Sequence, residues 1–415
     1  CDKIHLYKER ETVSKVFNLT NNIEVFYKRN ENTPRIALCF NFSINEKERT
    51  DGVYALMARL FMQGTKTRTS EQLANELDEY AIEFSVELKQ DYIRFRFVCL
   101  NEDFSKAIEL MTDIIKNSTF EEFDKELEKM KGEIIAELDS PRAKVSDAYY
   151  RNMFKDHPYG STYTKILENV DKITKEDVLE AYKIFMSNSR KVIAVVGELS
   201  ESDVKTKLEK AFGDIVNDKN ETSLLPVRPL EKEDVAEIIK PDANQAHILK
   251  GWIVPSYNSE DYAPLLLLNI ILGASGLSSR LFLELRDKKG LAYVVRSSYE
   301  AQALGGNFSI YIATEPKNIE VSMAGFKEEI DKIKLNPVGE EELENAKNNL
   351  IGKWAFTQET NTQQACLAAH YGVLNMGFDF NQKTKEKIKH VTAEQILDCA
   401  KRNFTDKSMV AVLKP

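Results

Sequence analysis

The side chains best able to ligate a metal or act as nucleophiles are few in this sequence, and their spacing limits what they can do. Histidine occurs as His5, His157, His247, His370 and His390, and no two stand four apart. No single helix face therefore offers a pair of imidazoles to one ion. The cysteines, Cys1, Cys39, Cys99, Cys366 and Cys399, are odd in number, widely separated and form no C-x-x-C. That pattern fits reduced core thiols better than a disulfide framework or a zinc knuckle. No Ser–His or Cys–His constellation can be assembled from spacing, so metal-free hydrolysis has no nucleophile to name. Gly273-Ala-Ser-Gly276 and Gly305-Gly306 read as turns, because neither fits G-x-G-x-x-G after a strand, and nucleotide binding is not expected.

Elements able to position such groups follow from periodicity. Ile82 to Leu100 alternates apolar and polar residues about a turn at Lys89-Gln90-Asp91, the pattern of a hairpin. Helical segments precede it at Val53 to Phe61 and Ser70 to Tyr80, and an amphipathic helix follows at Glu102 to Lys116. The second half repeats this order. Helical runs at Tyr262 to Leu272 and Ser278 to Asp287 lead into strands at Ala292 to Tyr299 and Asn307 to Thr314, then a helix at Lys317 to Ile333. A shift of 215 lays Phe95 on Ile310 and Ile115 on Ile330. Two copies of one α+β unit are the economical reading. The expected fold is α+β: two homologous sheet-plus-helix domains forming half of a clamshell. They are assigned to residues 1–216 and 237–415, joined by a polar linker, 217–236, that carries Pro226 and Pro229.

With 415 residues, 42% apolar and 30% charged, the chain has the make-up of a globular protein of more than one domain. A net charge of −9 with scattered Lys and Arg argues against nucleic acid as a partner. The longest apolar runs, such as Ala263 to Leu272, fall short of the ~20 residues of a membrane span. A cytoplasmic protein is expected. An envelope lipoprotein is the alternative if Cys1 is a native, lipidated N-terminus.

Five stretches carry a family resemblance. They are Gly52-Val-Tyr-Ala-Leu-Met-Ala-Arg-Leu-Phe-Met-Gln-Gly64-Thr65, Glu133-Ile-Ile-Ala-Glu137-Leu-Asp-Ser-Pro141 and Asp156-His-Pro-Tyr-Gly160 in the first half. In the second they are Ile271-Leu-Gly-Ala-Ser-Gly-Leu-Ser-Ser-Arg-Leu281-Phe and Glu284-Leu-Arg-Asp-Lys-Lys-Gly-Leu-Ala-Tyr293. In their order and spacing the chain resembles the pitrilysin/insulinase family of metallopeptidases, the inverzincins, in the small two-domain bacterial form, from about residue 20 to the C-terminus. That family binds zinc through H-x-x-E-H on a helix and a Glu some 75 to 80 residues later. Two imidazoles at i and i+4 chelate the ion, and the Glu at i+3 deprotonates its water. Aligned on Gly52 and Gly64-Thr65, those positions here hold Ala55, Ala58 and Arg59, and Glu137 matches the distant ligand 78 residues past Arg59. One carboxylate cannot hold zinc, and a cation at 59 repels it. No metal is expected in this chain.

The resemblance implies more. Working family members use an Arg and a Tyr seven residues apart, in the pattern R-x6-Y, to grip substrate and transition state. Arg286 and Tyr293 match that pattern, with Gly290-Leu291-Ala292 between them. Read without the family, Arg286 is a cation at a helix C-terminus and Tyr293 a core aromatic opening a strand. The hairpin Ile82 to Leu100 includes the edge strand that binds peptide in relatives. The resemblance therefore implies a heterodimeric zinc endopeptidase in which this chain supplies Arg286 and Tyr293 in trans. The partner would be a homologous subunit bearing H-x-x-E-H and the zinc, and the substrate a peptide. A non-catalytic peptide-binding or scaffold homologue is the alternative.

Overall fold

The computed structural model describes residues 14–217 and 222–415, so Cys1 and His5 lie outside the described residues. The first unit begins with β1 (Ser14–Asn18), β2 (Glu24–Arg29) and β3 (Arg35–Ser43), then α1 (Val53–Leu60) and α2 (Ser70–Glu79). The hairpin β4 (Glu83–Leu88) and β5 (Tyr92–Leu100) follows. Next come α3 (Phe104–Asn117), α4 (Phe123–Leu138), α5 (Pro141–Met153), α6 (Tyr163–Asn169) and α7 (Lys175–Asn188), and last β6 (Lys191–Gly197) and α8 (Glu201–Phe212). Its sheet runs β1-β2-β6-β3-β5-β4.

The second unit has β7 (Asp234–Ile239), β8 (Ala246–Val254) and α9 (Tyr262–Asn269), then two π-helical segments, Ile270–Ala274 and Phe282–Lys288. The hairpin β9 (Ala292–Gln302) and β10 (Gly305–Thr314) comes next. It is followed by α10 (Ile319–Leu335), α11 (Glu340–Phe356), α12 (Asn361–Val373), α13 (Phe380–His390), α14 (Ala393–Asn403) and β11 (Met409–Lys414). The order β7-β11-β8-β10-β9 repeats that of the first sheet without its outermost strand β1. Phe95 on β5 and Ile310 on β10 occupy equivalent strands, each paired with the outer strand of its sheet. The expected helix at Tyr262 to Leu272 changes to π winding at Ile270. There the Ser297 hydroxyl lies 2.7 Å from Asn269 Oδ1 and 3.0 Å from the Asn269 carbonyl, tying the point of change to β9.

Each sheet is apolar on both faces, and the cover comes from both halves. In the first unit, Phe40, Phe42, Phe61, Phe95 and Phe185 pack among its own helices. The other face carries Ala37, Cys39, Val98, Ala194 and Val196, and Ala365, Ala368 and Ala369 of α12 lie against it. Small residues on both surfaces allow this close approach. Reciprocally, Val145, Tyr149 and Met153 of α5 cover Leu249, Tyr311, Met409, Ala411 and Leu413 on the second sheet. Gly251 makes room for this helix, since a Cβ there would stand 2.1 Å from Tyr149 Oη. The halves are thus interlocked by an exchange of helices.

The hairpin turns also meet. Asp91, between β4 and β5, accepts from the Tyr159 hydroxyl and from the Ala303 N–H, 3.1 Å away in the turn before β10. Burial pushes the Asp91 carboxyl above its ordinary value. The described cysteines are free, and Cys39 and Cys366 stand 2.9 Å apart at sulfur across the α12 contact. Among the described residues no helix is long and apolar enough to cross a membrane.

Candidate active site

α1 and α4 lie side by side, and their facing side chains occupy the expected zinc positions. Ala55 and Ala58 present methyl groups, with Ala58 6% exposed. Arg59 reaches across to α4, where its Nε lies 3.2 Å from Glu126 Oε2 and an Nη 2.8 Å from Glu133 Oε2. Those two hydrogen-bonded carboxylates, Glu133 first, hold the guanidinium pKa above its usual value. Glu126 is 3% exposed, so its charge is matched inside the protein by Arg59. Glu137 lies one turn beyond Glu133 on α4 and is exposed.

The residues present do not fit a zinc ion. Two of the four positions have no donor atom, and the third is a cation held by the carboxylates that could have balanced a metal's charge. Among the described residues no group of three or more His, Cys, Asp or Glu is placed to hold a metal ion. Glu126 and Glu133 were not singled out in the sequence. The available signal was their spacing of seven, which puts both on the helix face that carries Glu137.

A cavity of about 980 Å³ opens beside these positions, between the first unit and the end of β9. Ala55, Tyr54, Leu88, Glu137 and Tyr163 line it from the first unit, and Glu300 and Gln302 from the second. Glu48 closes one wall and accepts from the N–H groups of Gly52 at 3.0 Å and Tyr54 at 2.9 Å, and from the Ser161 hydroxyl at 3.0 Å. It thereby serves the open N–H groups at the start of α1. Burial nevertheless raises its pKa, against the lowering effect of those three bonds. β4, the outer strand of its sheet, leads into the cavity at Leu88.

Arg286 and Tyr293 are brought together elsewhere, and neither lines this cavity. Arg286 projects from the second π-helical segment with its Cζ 4.5 Å from the Phe282 ring centroid and 4.9 Å from that of Tyr293. Gly290, at φ +62°, turns the chain between them. Tyr293 is the extra residue of a bulge: Ala292 pairs with Thr314 and Val294 with Ala313. A bulge re-aims the side chain it displaces, and Tyr293 is 77% exposed. Leu277, Leu283 and Val294 nearby in sequence are exposed too. The pair thus sets a half-buried guanidinium against a phenol that stands at an open surface. His157 serves structure, with its ring accepting from the Tyr159 N–H at 3.2 Å and meeting the Leu225 carbonyl at 2.9 Å.

Comparison with known proteins gives matches along most of the chain. Residues 24–165 match the family described as insulinase (peptidase family M16), and residues 172–350 match peptidase M16 inactive domain. An uncharacterized zinc protease of Rickettsia felis is 27% identical over 374 residues, 89% of either chain. One from Bacillus subtilis is 24% identical over 409 residues, 97% of this chain and 98% of that one. Two solved structures share the fold. A protease from Helicobacter pylori has a TM-score of 0.90 at 21% identity, covering 97% of this chain and 100% of that one. A peptidase M16 inactive domain from Pseudomonas fluorescens has 0.86 at 19%, covering 97% and 98%.

Proposed function

Because the chain belongs to the insulinase (M16) family of peptidases, we propose that it is the subunit of a zinc endopeptidase that holds no zinc itself and lends Arg286 and Tyr293 to a partner's active site. The observation that carries this reading is the mutually stacked Arg286–Tyr293 pair, with Tyr293 77% exposed, set apart from the chain's own degenerate metal positions. The partner is a homologous chain bearing H-x-x-E-H, and the metal in that chain supplies the Lewis acid and activated water. The Arg286 guanidinium grips a substrate carbonyl or carboxylate with several donors. The Tyr293 phenol donates to the oxyanion that develops on the scissile carbonyl. Peptide pairs with the free edge of β4, where main-chain hydrogen bonds give affinity with little demand on sequence.

The test mixes the purified chain with an H-x-x-E-H-bearing homologue and follows cleavage of a quenched fluorescent peptide. The chain alone is expected to be inactive. In the mixture, Tyr293→Phe is expected to lower turnover roughly 10²–10³-fold, the cost of removing an oxyanion donor. Full activity with Tyr293→Phe and Arg286→Ala together would refute the role, and would favour the non-catalytic scaffold reading.

A further inference from the structure

A second, smaller cleft of about 230 Å³ lies between α5 and the second sheet. Its floor follows from strand register: Arg296 pairs with Tyr311, Ser298 with Ser309, and Glu300 with Asn307. Its wall is one face of α5, where Arg142, Ser146 and Tyr150 stand four residues apart. Arg142 and Arg296 converge on Tyr311, each with its Cζ 5.7 Å from the ring centroid. Neither guanidinium has an ion pair or hydrogen bond among the described residues. Glu300 lies four residues along β9 from Arg296, about 13 Å at the rise of a strand. It is engaged instead by the Tyr150 hydroxyl at 2.9 Å and Asn307 Nδ2 at 3.0 Å. Ser309, 4% exposed, lines the cleft, and its hydroxyl has no hydrogen-bond partner among the described residues.

Two unneutralised cations drawn to one ring repel each other, and an anion between them removes that cost. The cleft is too small for a folded partner, and the acidic groups Glu137, Asp147 and Glu300 in the adjoining cavity oppose a polyanion. A single carboxylate matches the excess charge. Arg142, Ser146, Tyr150 and Glu300 line both spaces, so a chain ending in the cleft continues into the larger cavity. We propose that this cleft binds the C-terminal carboxylate of a peptide, held by Arg142 and Arg296 with the Ser309 hydroxyl donating beside them. This rests on the proposed pairing of peptide with the edge of β4, which leads into the larger cavity.

Calorimetric titration of the full chain tests it with three peptides. One is a ten-residue peptide of Gly, Ala, Ser and Leu with a free C-terminus, the second its C-terminal amide, and the third that amide with one internal Asp. The free acid is expected to bind roughly tenfold to a hundredfold more tightly than either amide, the range for charge-assisted hydrogen bonds. Arg142→Gln with Arg296→Gln, both at exposed positions, is expected to abolish that preference, so that acid and amide bind the double variant alike. Equal binding of acid and amide by the wild type would overturn the cleft assignment alone. So would persistence of the preference in the double variant, or an Asp-bearing amide that matches the free acid. Failure of all three peptides to bind at millimolar concentration would overturn the proposed pairing of peptide with β4 as well.

Discussion

His370 sets a measurable dependence of stability on pH. It lies on α12, the exchanged helix, where burial first, then the Arg94 and Lys89 cations, lower its pKa from 6.5 to about 4. Arg94 donates to the Tyr92 oxygen at 2.9 Å, so the Tyr92 proton is directed to His370 Nδ1, 3.0 Å away. The native imidazole is therefore an acceptor at Nδ1, and protonation there removes the bond. The ring also touches Tyr257 and Tyr371. The folded pKa lies below the unfolded one, so the unfolded chain binds the proton first as pH falls. Stability is complete above 6.5 and is lost between 6.5 and about 4. At 1.36 kcal/mol per pKa unit the full loss is about 3 kcal/mol, with about 1.4 kcal/mol gone at pH 5.5. Urea unfolding followed by far-UV circular dichroism, at pH 7.5, 6.5, 5.5 and 4.5, measures it in the wild type and in His370→Gln. The difference between the two cancels the other titrating groups, including His157 and His247, which burial also lowers. The same pH slope in both proteins would refute the reasoning.

Arg59→Met leaves Glu126 buried without its guanidinium and is expected to destabilise the chain by about 1–3 kcal/mol in urea unfolding. Adding Glu126→Gln should recover part of that loss, and strictly additive effects would count against the pairing. Gly273→Ala puts a Cβ 2.1 Å from the Ser297 backbone nitrogen, a contact only backbone movement can relieve. A loss of about 1–3 kcal/mol is expected, and unchanged stability would show that Gly273 is not held close against β9.

The hairpins, the flanking helices and the repeat were legible because each is written in local periodicity. The alternation from Ile82 to Leu100 calls for a hairpin, and the same signal recurs 215 residues later. The missing donors at Ala55, Ala58 and Arg59 were equally plain, because a residue's identity fixes whether it can ligate a metal. Only the tertiary structure decided what those positions do instead. Arg59 meets Glu126 and Glu133, α12 crosses to the first sheet and α5 to the second, and Cys39 comes to lie against Cys366. Contacts such as Cys39 to Cys366 join residues far apart in sequence, and no local period records which apolar face will cover which sheet. The cleft between Arg142 and Arg296 has the same origin: a helix of one half lies over strands of the other, and only that placement turns two scattered arginines into neighbours.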